Sequence, residues 1–281
     1  MSSTIKQAIQ ALKSRIADAY TAIVAKGGTL PATQDSANLP AAIESIPSGG
    51  GKVVRGTTFY SYTPTIGTNY GITDAGFADI AQYDWSEILS IENMFENASA
   101  LTTISAINGS PTIINTSIDR AFYSCYRLQN GLIEFLESLN FANPITNCSQ
   151  AFSQMTLRTS AIDLTNINFS NSCVWNNAFN GTNKVETIII PSEIGAGGTS
   201  FTFQNCTELK NLTIGGIAAT GNAQYLKLDT CNKLTHDSLV GILNALAVTS
   251  STLNLPLGAT NLAKLSAAEI AIATNKGWTL A

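Results

Sequence analysis

One pattern limits what this chain can fold into more than any other: a Phe or Leu, a small residue three positions later and an aliphatic six positions later. It stands at Phe95/Ala98/Leu101, Phe122/Cys125/Leu128, Phe179/Thr182/Val185, Phe203/Cys206/Leu209 and Leu228/Cys231/Leu234, with a degenerate copy from Phe152. Successive anchors lie 24 to 30 residues apart. A single globular core shows no such period, whereas stacked repeats do, because each unit buries its apolar face against its neighbours alone. Each copy leads into a short aliphatic run such as Leu209-Lys-Asn-Leu-Thr-Ile214, which predicts short parallel strands in a stack. The fold class expected is therefore α/β: a solenoid preceded by a coiled-coil-like helix and a small β cap.

Four segments are expected. Residues 1–26 hold a helix with apolar positions at Ile5, Ile9, Leu12, Ile16, Ala19 and Ile23, in steps of four and three. That is a heptad seam with Ile9, Ile16 and Ile23 at a and Ile5, Leu12 and Ala19 at d. So short a helix is marginal alone in water and calls for self-association or docking. Gly27-Gly28 and Ser48-Gly-Gly-Gly51 separate it from the rest of the chain, which favours self-association through Ile5, Ile9, Leu12, Ile16 and Ile23. Residues 27–51 form a Pro/Gly-rich connector with one short helix at 40–44, where Pro40 suits the first turn. Residues 52–87 are a capping segment, with strands up to Pro64 and the aromatics Phe77, Tyr83 and Trp85 covering the first repeat. Residues 88–281 carry the repeats, two edge insertions at 131–140 and 156–171, and a helical end with Thr235 and the Ser266-Ala-Ala-Glu269 capping box as start signals and Gly277 as a stop.

Charged residues make up 12% of the chain, against about 25% in ordinary soluble proteins, while 25 asparagines and 32 threonines keep its surface polar. A net charge of −4 gives no basic footprint for nucleic acid, and no apolar run reaches the roughly 18 residues of a membrane span. Three of the five cysteines, Cys125, Cys206 and Cys231, share the small-residue slot with Ala98 and Thr182, so they read as packing residues. No Cys-x-x-Cys occurs and His236 is the lone histidine, so neither metal nor other cofactor is expected. Glu134, Glu137 and Asp163 are the carboxylates a glycan depolymerase could use, but the first two sit on an ordinary solvated helix face and no phosphate loop or Gly-x-Ser-x-Gly elbow is present. No catalytic residue is assigned.

The repeats, above all Phe203-Gln-Asn-Cys-Thr-Glu-Leu-Lys-Asn-Leu-Thr-Ile214, resemble BspA-type leucine-rich repeats of bacterial surface proteins. The stretch from Ile16 through Lys26-Gly-Gly-Thr-Leu-Pro-Ala and Asn38-Leu-Pro-Ala-Ala-Ile-Glu-Ser-Ile46 is similar to N-terminal modules of structural proteins of tailed phages that infect Bacteroides-like hosts, including crAss-like phages. The resemblances imply a leucine-rich-repeat solenoid that serves recognition, and a virion protein of head or tail, fibre or decoration, attached to other virion proteins through its N-terminal region. Phage fibres of that kind are usually trimers, so a homo-oligomer is implied. Met1-Ser-Ser-Thr-Ile-Lys-Gln has neither a basic n-region nor an apolar h-region, so assembly in a host cytoplasm is expected over export. The alternatives are a bacterial adhesin and an intracellular interaction scaffold. Residues alternating with the strand aliphatics, Thr103, Glu186, Thr187, Lys210 and Thr213, are the candidate recognition surface for a host glycan or protein. Tyr123, Tyr126, Trp175 and Tyr225 could stack on sugars, although packing between repeats explains them as well.

Overall fold

The structure, a computed structural model, describes residues 3–25, 30–44, 59, 72–195, 202–219 and 226–281. In chain order it holds helix α1 (Ser3–Ala25), helix α2 (Leu39–Glu44), helix α3 (Asp74–Ile80), strand β1 (Thr112–Ile113), helix α4 (Leu132–Glu137), and strands β2 (Asn140–Phe141), β3 (Ile145–Asn147), β4 (Ile162–Asp163), β5 (Phe169–Val174), β6 (Thr187–Ile194) and β7 (Asn211–Ile217). Helix α5 (His236–Ala245), strand β8 (Leu253–Leu255), helices α6 (Ala259–Leu262) and α7 (Ala267–Asn275), and strand β9 (Trp278–Leu280) close the chain. The fold mixes helix with short parallel strands in small sheets: β1 with β2, β3 with β5, β4 with β6 and β7, and β8 with β9. Among the described residues no sheet closes into a barrel. The strands expected within 52–62 lie outside the described residues apart from Phe59.

The Phe of each copy explains the core. Phe95, Phe122, Phe152, Phe179 and Phe203 are fully buried. Their rings stack nearly parallel, with centroids 5.5, 6.1, 5.4 and 5.5 Å apart in succession. Main-chain hydrogen bonds tie the same positions together: Phe95 N–H donates to Ala121 (2.9 Å), Phe122 to Ala151 (2.9 Å), Phe152 to Ala178 (2.9 Å) and Phe179 to Thr202 (3.0 Å). Such spacing demands a tight turn around every Phe. The residues two positions either side of it take left-handed backbone: Asn93 and Asn97, Arg120 and Ser124, Gln150 and Gln154, Asn177 and Gly181. Asn and Gly tolerate that region best, which accounts for the Asn-rich turns of the sequence.

The small slot has a second requirement besides volume. Cys125 donates its thiol to Phe95 C=O (3.0 Å), Cys206 to Phe179 C=O (3.1 Å) and Cys231 to Phe203 C=O (3.3 Å). The Thr182 hydroxyl makes the same bond to Phe152 C=O (2.7 Å). Cys and Thr therefore recur as small donors that satisfy a buried carbonyl, where the sequence pattern suggested space alone.

Both insertions enter the core, which corrects the expectation that they decorate an edge. Leu132, Phe135 and Leu136 of α4 are fully buried, and the Phe135 ring meets Phe95 and Phe122 edge-on at 5.4 and 6.0 Å. Gly131 begins this excursion with φ of +76°, where a Cβ would lie 1.6 Å from Ile104 O. In the second insertion, Ile162, Leu164 and Ile167 are buried and β4 joins β6. On the amino side of the first copy, Phe77 and Trp85 are buried and Phe59 stacks on Phe95 at 5.3 Å. The Asp74 carboxylate accepts from the N–H groups of Thr102 and Thr103 and from the Thr102 hydroxyl. At the other end the start signals act as read. Thr235 caps α5, Ser266 and Glu269 form the capping box of α7, and Trp278 is buried with its indole N–H on Ala247 C=O (2.8 Å).

Helix α1 has its own small core, and this corrects the view of the connector as a mere spacer. Tyr20 and Ile23 are buried with Ala42 of α2, and Ile16 and Leu39 pack against them. Tyr20 donates its hydroxyl to Asp35 C=O (2.8 Å). Ile16, Tyr20 and Ile23 are spaced i, i+4, i+7, so one stripe of the lower helix faces α2. The expected seam is thus covered in cis at Ile16 and Ile23. Ile9 and Leu12 stay 42% and 58% exposed. The side chain of Ile5 lies outside the described residues.

Candidate functional site

The strand face forms where β6 and β7 run side by side. Alternation buries Ile188, Ile190, Leu212 and Ile214 and turns the residues between them outward. Four of the five expected recognition residues meet here. Lys210 Nζ lies 2.7 Å from Glu186 Oε1, the Asn211 amide reaches the Thr187 hydroxyl (3.3 Å), and Thr213 follows on the same face opposite Ile189. Thr103 stands apart from them, exposed on an isolated bridge to Asn130. Thr213 also lines a groove of about 360 Å³ shared with Asn211, Thr235, Asp237, Ser238 and Gly241. In it the edge of β7 is sealed: Ser238 Oγ accepts from Leu212 N–H (2.8 Å) and donates to Leu212 C=O (3.0 Å). One hydroxyl satisfies both main-chain groups of the buried Leu212, which blunts further strand pairing there.

A second surface is built from the two residues that precede the buried aliphatic of each copy. In order these are Ser99-Ala100, Tyr126-Arg127, Thr156-Leu157, Asn183-Lys184, Thr207-Glu208 and Asn232-Lys233. Stacking sets them in a ridge. Its later half is charged: Lys233 Nζ lies 2.7 Å from Glu208 Oε2, and the exposed Lys184 acts on the same carboxyl through its charge without an ion pair among the described residues. The hydrogen bond from Lys233 holds the Glu208 carboxyl below its ordinary range. Its earlier half is a groove of about 590 Å³ lined by Ser99, Ala100, Tyr126, Arg127, Thr156 and Leu157. Tyr126 and Leu157 are 40% and 51% exposed. The sequence offered Tyr126 as a stacking residue but gave no sign that Arg127 and Leu157 would stand beside it, because they occupy variable positions of the repeat.

The other aromatics fill other roles. Tyr123 lies under the Arg120 guanidinium at 4.7 Å, and Arg120 pairs with Glu96 at 2.6 Å. Trp175 is buried against Phe169 and Phe179. Tyr225 lies outside the described residues. In the degenerate copy, Arg158 occupies the aliphatic slot and is buried. Its guanidinium donates to the carbonyls of Leu128 (3.0 Å), Gln129 (2.9 Å) and Ala161 (2.9 Å), and burial lowers its pKa to about 10. The cation takes the place of a leucine to satisfy main-chain carbonyls around the two insertions.

The carboxylates considered for glycan cleavage are exposed and engaged separately. Glu137 accepts from the Asn166 amide (2.7 Å), and hydrogen bonds from Thr165 hold the Asp163 carboxyl below its usual value. Glu134 lies in the first turn of α4. All five cysteines are free and buried, and burial pushes the Cys125 thiol far above its ordinary value. Among the described residues no three His, Cys, Asp or Glu side chains gather into a metal-holding group, and no helix is long and apolar enough to cross a membrane.

No protein-family model matches this chain, and no curated protein or solved structure is significantly similar to it.

Proposed function

We propose that this chain is a non-catalytic display protein of a phage virion. In this reading the copies continue as a leucine-rich-repeat solenoid that presents its strand face and ridge for weak, multivalent contact with a host-surface glycan or protein. The N-terminal hairpin of α1 and α2 attaches the chain to other virion proteins and brings copies together through Ile9 and Leu12. The observation that supports this reading is the stripe of α1, which packs on α2 at Ile16 and Ile23 but leaves Ile9 and Leu12 in solvent. The virion setting rests on the resemblance of residues 16–46 to phage structural modules.

Multivalency makes the proposal testable, because linked weak sites bind far more tightly than single ones. Labelled full chain should adhere saturably to Bacteroides-like host cells. The double variant Ile9→Asp/Leu12→Asp should adhere at least about tenfold more weakly, since tethering commonly adds a factor of that size or more. Absence of adhesion by the unaltered chain contradicts host display and favours the reading as an intracellular scaffold for one protein.

A further inference from the structure

The earlier half of the ridge combines features that suit a ligand, an unpaired guanidinium beside exposed aromatic and aliphatic side chains. Arg120, Lys210 and Lys233 each hold a carboxylate, from Glu96, Glu186 and Glu208 respectively. Arg127 is exposed and has no side-chain hydrogen bond or ion pair with any described residue, and the Tyr126 hydroxyl likewise has no partner. Between them and the exposed Leu157 lies a groove with an aromatic wall, an aliphatic wall, one free guanidinium and the hydroxyl-bearing Ser99 and Thr156 at its rim.

Its walls are held in place from behind. Leu157 N–H donates to Tyr126 C=O (2.9 Å), and the Gln129 side chain bridges to Leu157 C=O and to Thr159 N–H. The Arg158 fork, buried directly after Leu157, clamps the carbonyls of Leu128 and Gln129 in the preceding copy. The main chain behind both walls is therefore tied down before any ligand arrives, which lowers the ordering cost of binding.

We propose that this groove binds a carboxylate-bearing saccharide, such as a uronic acid unit of a surface polysaccharide. This rests on the reading of the chain as a display protein. A sugar ring presents an apolar C–H face to Tyr126 and Leu157 and hydroxyls to Ser99 and Thr156, while its carboxylate fits the planar fork of Arg127 by two parallel hydrogen bonds. About 590 Å³ lies within the range of small-ligand sites, enough for a short oligosaccharide. An acidic peptide would share the charge but leave the aromatic wall without a flat partner.

The test uses the full chain and oligogalacturonate, its methyl ester and an oligoglutamate peptide, with binding followed by calorimetry. Saturable binding of oligogalacturonate is expected, at least about tenfold weaker for the ester, because a hydrogen-bonded charge contact carries that order of discrimination. Arg127→Gln and Tyr126→Ala should each lose about tenfold, and Lys233→Gln should change nothing. Both sites are exposed and unpaired, so an unchanged melting temperature is expected and confirms intact variants. Equal binding of acid and ester, preference for the peptide, indifference to both substitutions, or no binding to any probe overturns the proposal. Adhesion of the unaltered chain to host cells that is indifferent to Arg127→Gln overturns this site alone and leaves the display reading standing.

Discussion

The N-terminal hairpin and the repeats solve the same problem with different means. From Phe95 to Phe203 the aromatic rings follow one another with main-chain bonds between successive copies, and donors from Cys125, Thr182, Cys206 and Cys231 join them where the slot holds Cys or Thr. In the hairpin the core is Tyr20, Ile23 and Ala42 with two partly buried neighbours, and the stripe of α1 runs on past it into solvent at Leu12 and Ile9. The helix has 23 residues, and the proposed self-association would supply its upper half with the contacts that α2 gives the lower half.

The largest expected effect breaks the repeats and leaves the hairpin alone. Phe152→Ala removes the central ring of the ladder and should cost about 3–5 kcal/mol in denaturant unfolding, with no change in oligomer size. Equal loss of both would show that the two regions fold as one. Arg158→Leu restores the repeat pattern but strands three carbonyls, so a loss of about 1–3 kcal/mol is expected despite the added apolar side chain. A gain in stability would mark Arg158 as a tolerated defect. Thr182→Val keeps shape and removes only the donor to Phe152 C=O, for about 1 kcal/mol, while Thr182→Cys should be nearly neutral.

The smallest effect is on pH. His236 lies 3.4 Å from Asp237 and 2.8 Å from Glu269 of the α7 capping box. Hydrogen bonds to Asp237 and then Glu269 raise its pKa above the ordinary 6.5. A raised folded-state pKa means that the stabilisation is complete below the unfolded value and is lost as pH rises through the folded one. Thermal melts from pH 5.5 to 8.5 should therefore show a decline through that window that His236→Gln flattens. A decline unchanged in the variant assigns the dependence elsewhere.

Phe and Leu at fixed spacing were legible because inward side chains must recur wherever equivalent copies touch, and Thr235, Ser266 and Gly277 were legible because caps are local. Three features were hidden by their dependence on contacts distant in sequence. Phe135 has a helical neighbourhood in either destination, and only the stack reveals that it enters the ladder. Tyr20 meets α2 across Gly27-Gly28, which in sequence read as a separator. Cys and Thr in the slot matched Ala98 in volume, so their donor role waited on the position of the preceding Phe carbonyl. Alternation placed Thr187 and Thr213 outward, while Thr103 stands apart and the Tyr126–Arg127 groove was hidden, since its character comes from which variable residues adjoin across three copies.

Light scattering across a concentration series tests the central contrast most directly. The unaltered chain should form a defined oligomer, and Ile9→Asp/Leu12→Asp should be monomeric with the melting transition of the repeats unchanged. A chain that is monomeric at every concentration, or a double variant that keeps the same oligomer, contradicts the account.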